Sequence, residues 1–226
     1  MDPCAAMLRA IEVEARATAR RTGRAHVSAA VLAALAAVRR EAFVPANAAA
    51  SAYANHPLPI GHGQTISQPF IVALMTDLLD VQAEDEVLEV GTGSGYHTAV
   101  LARLARQVWS VEVVPALAAR ARTALAAEGA ANVYLRTGDG AAGWPEAAPF
   151  DRIIVTAAAV TVPEALVTQL RAPGRMVIPV GAPGEAQDLR LIEKDTAGMV
   201  RTRSVLDVAF VPLVADRPAG PWAGGS

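Results

Sequence analysis

The sequence holds one cysteine, Cys4, so it offers no disulfide framework and no cysteine-based metal site. Its four histidines, His26, His56, His62 and His97, show no ligand spacing on any expected helix. No H-E-x-x-H pattern and no G-x-S-x-G elbow occurs, which argues against zinc and serine hydrolase chemistry. No run of about 18 apolar residues is present, so no membrane span is expected. Asp2, Arg9, Glu12 and Glu14 interrupt any apolar opening, so no signal-peptide pattern begins the chain. A reducing cytoplasm is the expected home. The net charge of −2 supplies no global field to recruit nucleic acid or an anionic membrane. Arg20-Arg21 and Arg39-Arg40 are isolated pairs and read as solvated helix ends. No internal repeat appears.

What is present is apolar substance. Hydrophobic residues make up 53% of 226, enough for one globular domain with a sizeable core. Much of the excess is alanine, which favours helices. Residues 4–22 and 28–39 read as two helices, with Met7, Leu8, Ile11 and Ala15 on one stripe and Val31, Leu32, Leu35 and Val38 on the other. Neither carries evident chemistry; the pair is expected to cover a sheet edge or a pocket. Residues 40–67 are irregular, broken by Pro45, Pro57 and Pro59, with room for a short helix over 46–54. Apolar Phe43, Val44, Leu58 and Ile60 mark this stretch as an ordered loop of functional type. Residues 68–79 read as a helix, with Pro69 in the first turn and Ser67 as its cap.

From residue 87 onward, strands and helices alternate. Strands are expected at 87–90, 107–113, 132–136, 150–156 and 175–180, with helices following the glycine turn at 91–95 and over 115–128 and 163–170. This order implies a doubly wound, mostly parallel sheet with helices on both faces. A hairpin over 189–193 and 200–205 and a last strand piece at 210–214 add antiparallel strands. The whole reads as a single domain over 1–214, with a helical cover (1–39), an active-site loop (40–67) and a Rossmann-like core (68–214). Residues 215–226 read as a flexible tail.

The turn after the first core strand is Glu89-Val90-Gly91-Thr92-Gly93-Ser94-Gly95-Tyr96. Glycines there let a ligand approach backbone, and the first N–H groups of the next helix can hold an anion. The third glycine comes one residue early for a dinucleotide fingerprint, and Tyr96 takes its place. Glu89 would repel a pyrophosphate and suit a cation. The turn therefore fits S-adenosylmethionine, which carries a sulfonium and an ammonium, better than NAD. Glu112 lies 21 residues after Gly91, the distance at which an acidic residue accepts ribose hydroxyls. Asp139-Gly140 follows the third core strand, where an aspartate can meet an adenine amino group; it is also ordinary turn chemistry. His97 reads as a surface or packing residue, and His62 as a candidate substrate contact.

At this point the sequence resembles a family. Pro57-Leu58-Pro59-Ile60-Gly61-His62-Gly63-Gln64-Thr65-Ile66-Ser67-Gln68-Pro69 is similar to the signature loop of protein-L-isoaspartate O-methyltransferases. Residues 87–96, Gly138-Asp139-Gly140, Pro149-Phe150-Asp151, Ile154-Val155-Thr156-Ala157-Ala158, Pro179-Val180-Gly181 and Phe210-Val211-Pro212-Leu213 follow in family order. Arg40-Glu41-Ala42-Phe43-Val44-Pro45 resembles the preceding segment, and Arg39 stands where the family often has proline.

The resemblance implies a methyltransferase fold. It also implies methyl transfer from S-adenosylmethionine to the α-carboxylate of L-isoaspartyl residues in damaged proteins and peptides. The ester then cyclises to a succinimide, whose hydrolysis returns part of it to aspartate. A relative forming aspartimide in a dedicated peptide is the alternative. By resemblance Ser67 is the catalytic residue. Gln64, Thr65, Ile66, Ser67, Glu89, Gly91, Gly93, Gly95, Glu112, Asp139 and Gly140 are the expected cofactor contacts. Ile60, Gly61, Thr156, Ala157, Ala209 and Val211 are the expected substrate contacts, pairing with an extended peptide. No metal is expected. An α-type carboxylate has a pKa of about 3.5 and is already a nucleophile at neutral pH, so no general base is needed.

Overall fold

The computed structural model describes residues 2–214; the expected tail lies outside them. Helix α1 (Pro3–Thr22) starts on Asp2, whose side chain accepts the Cys4 N–H, and stops at Gly23 in the left-handed conformation. Helix α2 (Ala29–Ala37) starts on Ser28. Two 3-10 helices, Arg40–Phe43 and Ala46–Ser51, lead to a small hairpin of β1 (Leu58–Gly61) and β2 (Gln64–Ile66). The loop of 40–67 is thus more regular than its prolines suggest. His62 and Gly63, with φ of +55° and +70°, form the hairpin's two-residue tip.

Helix α3 (Pro69–Leu79) then enters the core. Its N-cap is Gln68 and no side chain caps it, so the expected cap role of Ser67 is corrected. Strands β3 (Glu86–Val90), β4 (Gln107–Glu112), β5 (Val133–Thr137), β6 (Phe150–Val155) and β7 (Leu170–Val180) form a parallel array. Helices α4 (Tyr96–Ala102), α5 (Pro115–Ala127) and α6 (Glu164–Gln169) connect them. Strands β8 (Gln187–Lys194) and β9 (Val200–Val208) add antiparallel ladders, both longer than expected. Strand β7 begins earlier than the apolar run at 175, because Leu170 already pairs with Phe150 across a register irregularity. The stretch 210–214 forms no strand. It hangs from Ala158 by two backbone bonds, Ala158 N–H to Val211 and Leu213 N–H to Ala158, each 2.8 Å.

The sheet order is β5-β4-β3-β6-β7-β8-β9. The chain winds outward from β3 to β5, then returns to the other side of β3, which leaves a crevice at the carboxyl ends of β3 and β6. Strand residues alternate between two cores. Val87, Val108, Ile154 and Val177 pack with residues of α1 to α5, while Leu88, Val111, Ile153 and Met176 pack with Leu166 of α6. Helices cover both faces, as expected, but most of the helical cover lies on one. The apolar strands β3 and β6 owe their near-continuous hydrophobicity to burial on both sides.

Candidate active site

The register places Val90 opposite Val111 and Val155, so Gly91, Glu112 and Thr156 emerge at one edge of the sheet. Gly91 has φ of +96°, and a Cβ there would stand 2.4 Å from Thr156 Oγ1. Its N–H donates to Val111 O at 2.8 Å. Thr156 Oγ1 in turn donates to Gly91 O at 2.5 Å, so turn and strand end are laced together. The Gly93 N–H donates to Glu112 Oε2 at 2.7 Å, and Val114 N–H to Oε1 at 2.9 Å. Glu112 is therefore oriented by two backbone donors at the mouth of the crevice.

Glu89 lies elsewhere than its sequence position suggested. It is fully buried under the turn, where its Oε2 accepts from Thr98 and from Ser110 at 2.6 Å. Ser110 in turn shares a 2.6 Å bond with Thr92, so the carboxyl braces the turn from below. It does not line the crevice, and Oε1 has no hydrogen-bond partner among the described residues. Burial pushes its pKa up to about 7, the bonds from Ser110 and Thr98 opposing. The third glycine, Gly95, also serves packing: a Cβ there would meet Ala121 Cβ of α5 at 3.2 Å. Asp139 caps the short 3-10 helix Gly140–Ala142 by accepting the Ala141 N–H at 2.8 Å, and only Gly140 reaches the cavity wall.

Two cavities meet at this edge. The first is a partly enclosed cavity at the carboxyl ends of β3 and β6, opening to solvent. Gly91, Gly93, Glu112 and Gly140 form one part of its wall, and Gln64, Thr65, Ile66 and Ser67 another. The second is an open groove between α1, the start of α3, and the segment after β9, lined by Glu14, Gln68, Ala209 and Phe210 among others. Thr65, Ser67, Thr156 and Val211 line both. Ala157 lines the first only and Ala209 the second only. Ile60 and Gly61 line neither; they flank a separate surface groove, where the Ile60 carbonyl accepts from Arg120 at 2.9 Å. His62, at the exposed hairpin tip, reaches neither cavity.

Sequence reasoning missed two residues here. His97 is buried and lines the first cavity, with Nε2 2.8 Å from Thr76 Oγ1; burial lowers its pKa to about 3, so it is neutral at physiological pH. The Thr76 hydroxyl donates to Val72 O, so Nε2 carries the hydrogen. Arg40, expected at a solvated helix end, is completely buried. The signal available for Arg40 was its place at the head of the Arg-Glu-x-Phe-Val-Pro segment; nothing in the local pattern marked His97.

Sheet order, glycine turn and the acidic end of β4 together define a nucleotide-type α/β fold of the methyltransferase class. Solved structures agree. One titled protein-L-isoaspartate O-methyltransferase superposes with a TM-score of 0.78 at 27% identity, covering 91% of this chain and 66% of that one. A protein-L-isoaspartate O-methyltransferase of Plasmodium falciparum in complex with S-adenosyl-L-homocysteine gives 0.75 at 24%, covering 92% and 98%, and shares the fold. The model of the family described as protein-L-isoaspartate(D-aspartate) O-methyltransferase matches residues 14–218. Protein-L-isoaspartate O-methyltransferase 2 of Syntrophobacter fumaroxidans is 56% identical over 209 residues, 92% of this chain and 85% of the relative. The Anaeromyxobacter dehalogenans (strain 2CP-1) protein of the same activity is 60% identical over 190 residues, 84% and 91%. The chain belongs to the protein-L-isoaspartate(D-aspartate) O-methyltransferase family.

Proposed function

We propose that this chain methylates the α-carboxylate of L-isoaspartyl residues in proteins and peptides, using S-adenosylmethionine, as a cytoplasmic repair enzyme. The observation that carries the reading is the pair of cavities sharing one wall at Thr65, Ser67, Thr156 and Val211. The first cavity fits the cofactor. Gly91 and Gly93 leave its floor without Cβ atoms, and Glu112, fixed by two N–H donors, keeps lone pairs for a pair of hydroxyls. The cofactor supplies an electrophilic methyl group when bound. Glu89 supports this cavity from beneath and is a brace in this reading, with Gly95 and Asp139 shaping the turns around it.

The groove takes the peptide beside Ala209 and Val211; the Val211 carbonyl and the Phe210 N–H are already engaged by Ala158 and Gln187, so an extended chain pairs with the backbone groups that remain. The chain's own residues need only align. Ser67 lines both cavities and its hydroxyl has no hydrogen-bond partner among the described residues, so it is free to donate to the substrate carboxylate. Thr156 lines both cavities with it, and Ala157 lines the first. No side chain on the shared wall is a base, in keeping with a nucleophile already ionised at neutral pH. Held alignment is where the acceleration arises. Among the described residues no helix is long and apolar enough to cross a membrane.

The test is methyl-ester formation on several unrelated isoaspartyl peptides and their aspartyl twins. Methylation of the isoaspartyl member of each pair supports the reading. Methylation of normal aspartate in one sequence alone would replace general repair with dedicated peptide tailoring.

A further inference from the structure

Arg40 heads the 3-10 helix Arg40–Phe43 and is 0% exposed. Its Nε donates to Ala52 O and its Nη2 to Ser67 O, both at 2.7 Å. Its guanidinium carbon stands 4.6 Å from the centroid of the Tyr96 ring, which Phe43 also meets edge-on at 5.9 Å. Tyr96 is the first residue of α4, directly after the glycine turn, and lines the first cavity. Among the described residues no carboxylate pairs with Arg40 and its Nη1 makes no hydrogen bond of good geometry, while the neighbouring Tyr96 side chain favours the charged form. A guanidinium stays charged at such a site, and burying it without a counter-ion is costly. A purely apolar side chain would fill the same space without that cost. What only the fork supplies is a grip on two carbonyls at once, with a planar face left for an aromatic ring.

The two carbonyls bracket the stretch from Ala52 to Ser67, which includes the hairpin. The Ser67 peptide is therefore fixed while its hydroxyl stays free of partners among the described residues. We infer that Arg40 is a positioning residue: it sets the Ser67 peptide against the helix behind the glycine turn, so that the serine hydroxyl is aimed at the shared wall of the two cavities. This rests on the proposed role of Ser67.

A double-mutant cycle tests it, with Arg40→Lys, Ser67→Ala and the double variant made in the full chain. Turnover of an isoaspartyl peptide is measured with S-adenosylmethionine saturating, together with KM for each substrate and a melting curve for each protein. Lysine keeps the charge and loses the fork. Arg40→Lys alone is expected to lower kcat about ten- to a hundredfold, the effect of a reacting group misplaced by around an ångström. KM for S-adenosylmethionine is expected to move less than about threefold. In the Ser67→Ala background the same change is expected to cost less than about twofold, because there is no hydroxyl left to aim. If Arg40→Lys yields no folded protein, Arg40→Gln, which keeps amide donors without a charge, replaces it in the same cycle. Should Ser67→Ala be slow while the Arg40 change costs the same factor in both backgrounds, the inference is overturned and Ser67 stands. The inference is likewise overturned if the Arg40 change lowers only the melting temperature. If Ser67→Ala turns over like the parent, the role of Ser67 falls and the inference falls with it.

Discussion

The glycine turn and the segment 40–67 line the same cavity, yet they are held by different means. The turn grows out of the parallel sheet: β3 registers with β4 and β6, and the chain leaves the sheet where its neighbours leave it. The segment 40–67 contributes no strand to that sheet. Phe43, Leu58, Ile60 and Ile66 anchor it in the core, and between these anchors its course is set by single polar contacts from distant parts of the chain. Arg40 reaches Ala52 and Ser67, Asn55 accepts the Phe70 N–H, Glu14 of α1 accepts from Asn55 and Gln68, and Arg120 of α5 reaches Ile60. A periodic element writes its register into the pattern of apolar residues; a stretch tied by individual donors does not.

Breaking the turn itself should have the largest effect. Gly91→Ala puts a Cβ 2.4 Å from Thr156 Oγ1 at a backbone φ of +96°. Affinity for S-adenosylhomocysteine is expected to fall about a hundredfold, the equivalent of about 3 kcal/mol of strain. Calorimetry showing parent-like affinity would mean that the turn is looser than its contacts imply.

The brace beneath the turn predicts a pH effect. The folded pKa of Glu89, about 7, lies above its ordinary 4.5. Between these values the folded protein holds a proton that the unfolded chain has lost. The Glu89 contribution therefore favours the folded state at low pH, declines as pH rises from about 4.5, and is fully lost above about 7. Glu89→Gln is expected to flatten this decline and to gain up to about 3 kcal/mol relative to the parent between pH 4 and pH 8. Denaturant melts across that range check it; parallel pH profiles for the two proteins would contradict it.

Glu112→Ala has a smaller expected effect. It removes the acceptor of the Gly93 and Val114 N–H groups and the proposed ribose contact together. S-adenosylhomocysteine affinity should fall at least about tenfold, since one charge-assisted bond contributes about 1.5–3 kcal/mol. An unchanged dissociation constant would leave Glu112 a brace like Glu89.

The same contrast governs what was legible in the sequence. The mostly parallel sheet with helices on both faces and the placing of Gly91, Gly93 and Glu112 follow from alternation and spacing, because burial on both faces forces those patterns; the order of the strands came only from the structure. The role of Glu89 did not follow: spacing puts a carboxylate near the turn but not on which side of it. Asp139 and Gly140 are adjacent, yet one caps while the other lines the wall, a distinction that depends on a backbone turn. Ser67 looked like a helix cap because serine caps well and Pro69 follows in the first turn; the structure starts the helix one residue later. Arg40 looked solvated because arginine pairs usually are, and the carbonyls that bury it lie 12 and 27 residues away.

The central claim is that chemistry takes place at the wall shared by the two cavities, with Ser67 orienting the carboxylate. Since Ser67 caps no helix and its hydroxyl bonds no group among the described residues, Ser67→Ala tests this without a folding penalty. The direct measurement is single-turnover methylation of an isoaspartyl peptide beside a melting curve. The account predicts an unchanged melting temperature and a rate lower by about one to three orders of magnitude. A parent-like rate with the same melting temperature would contradict it.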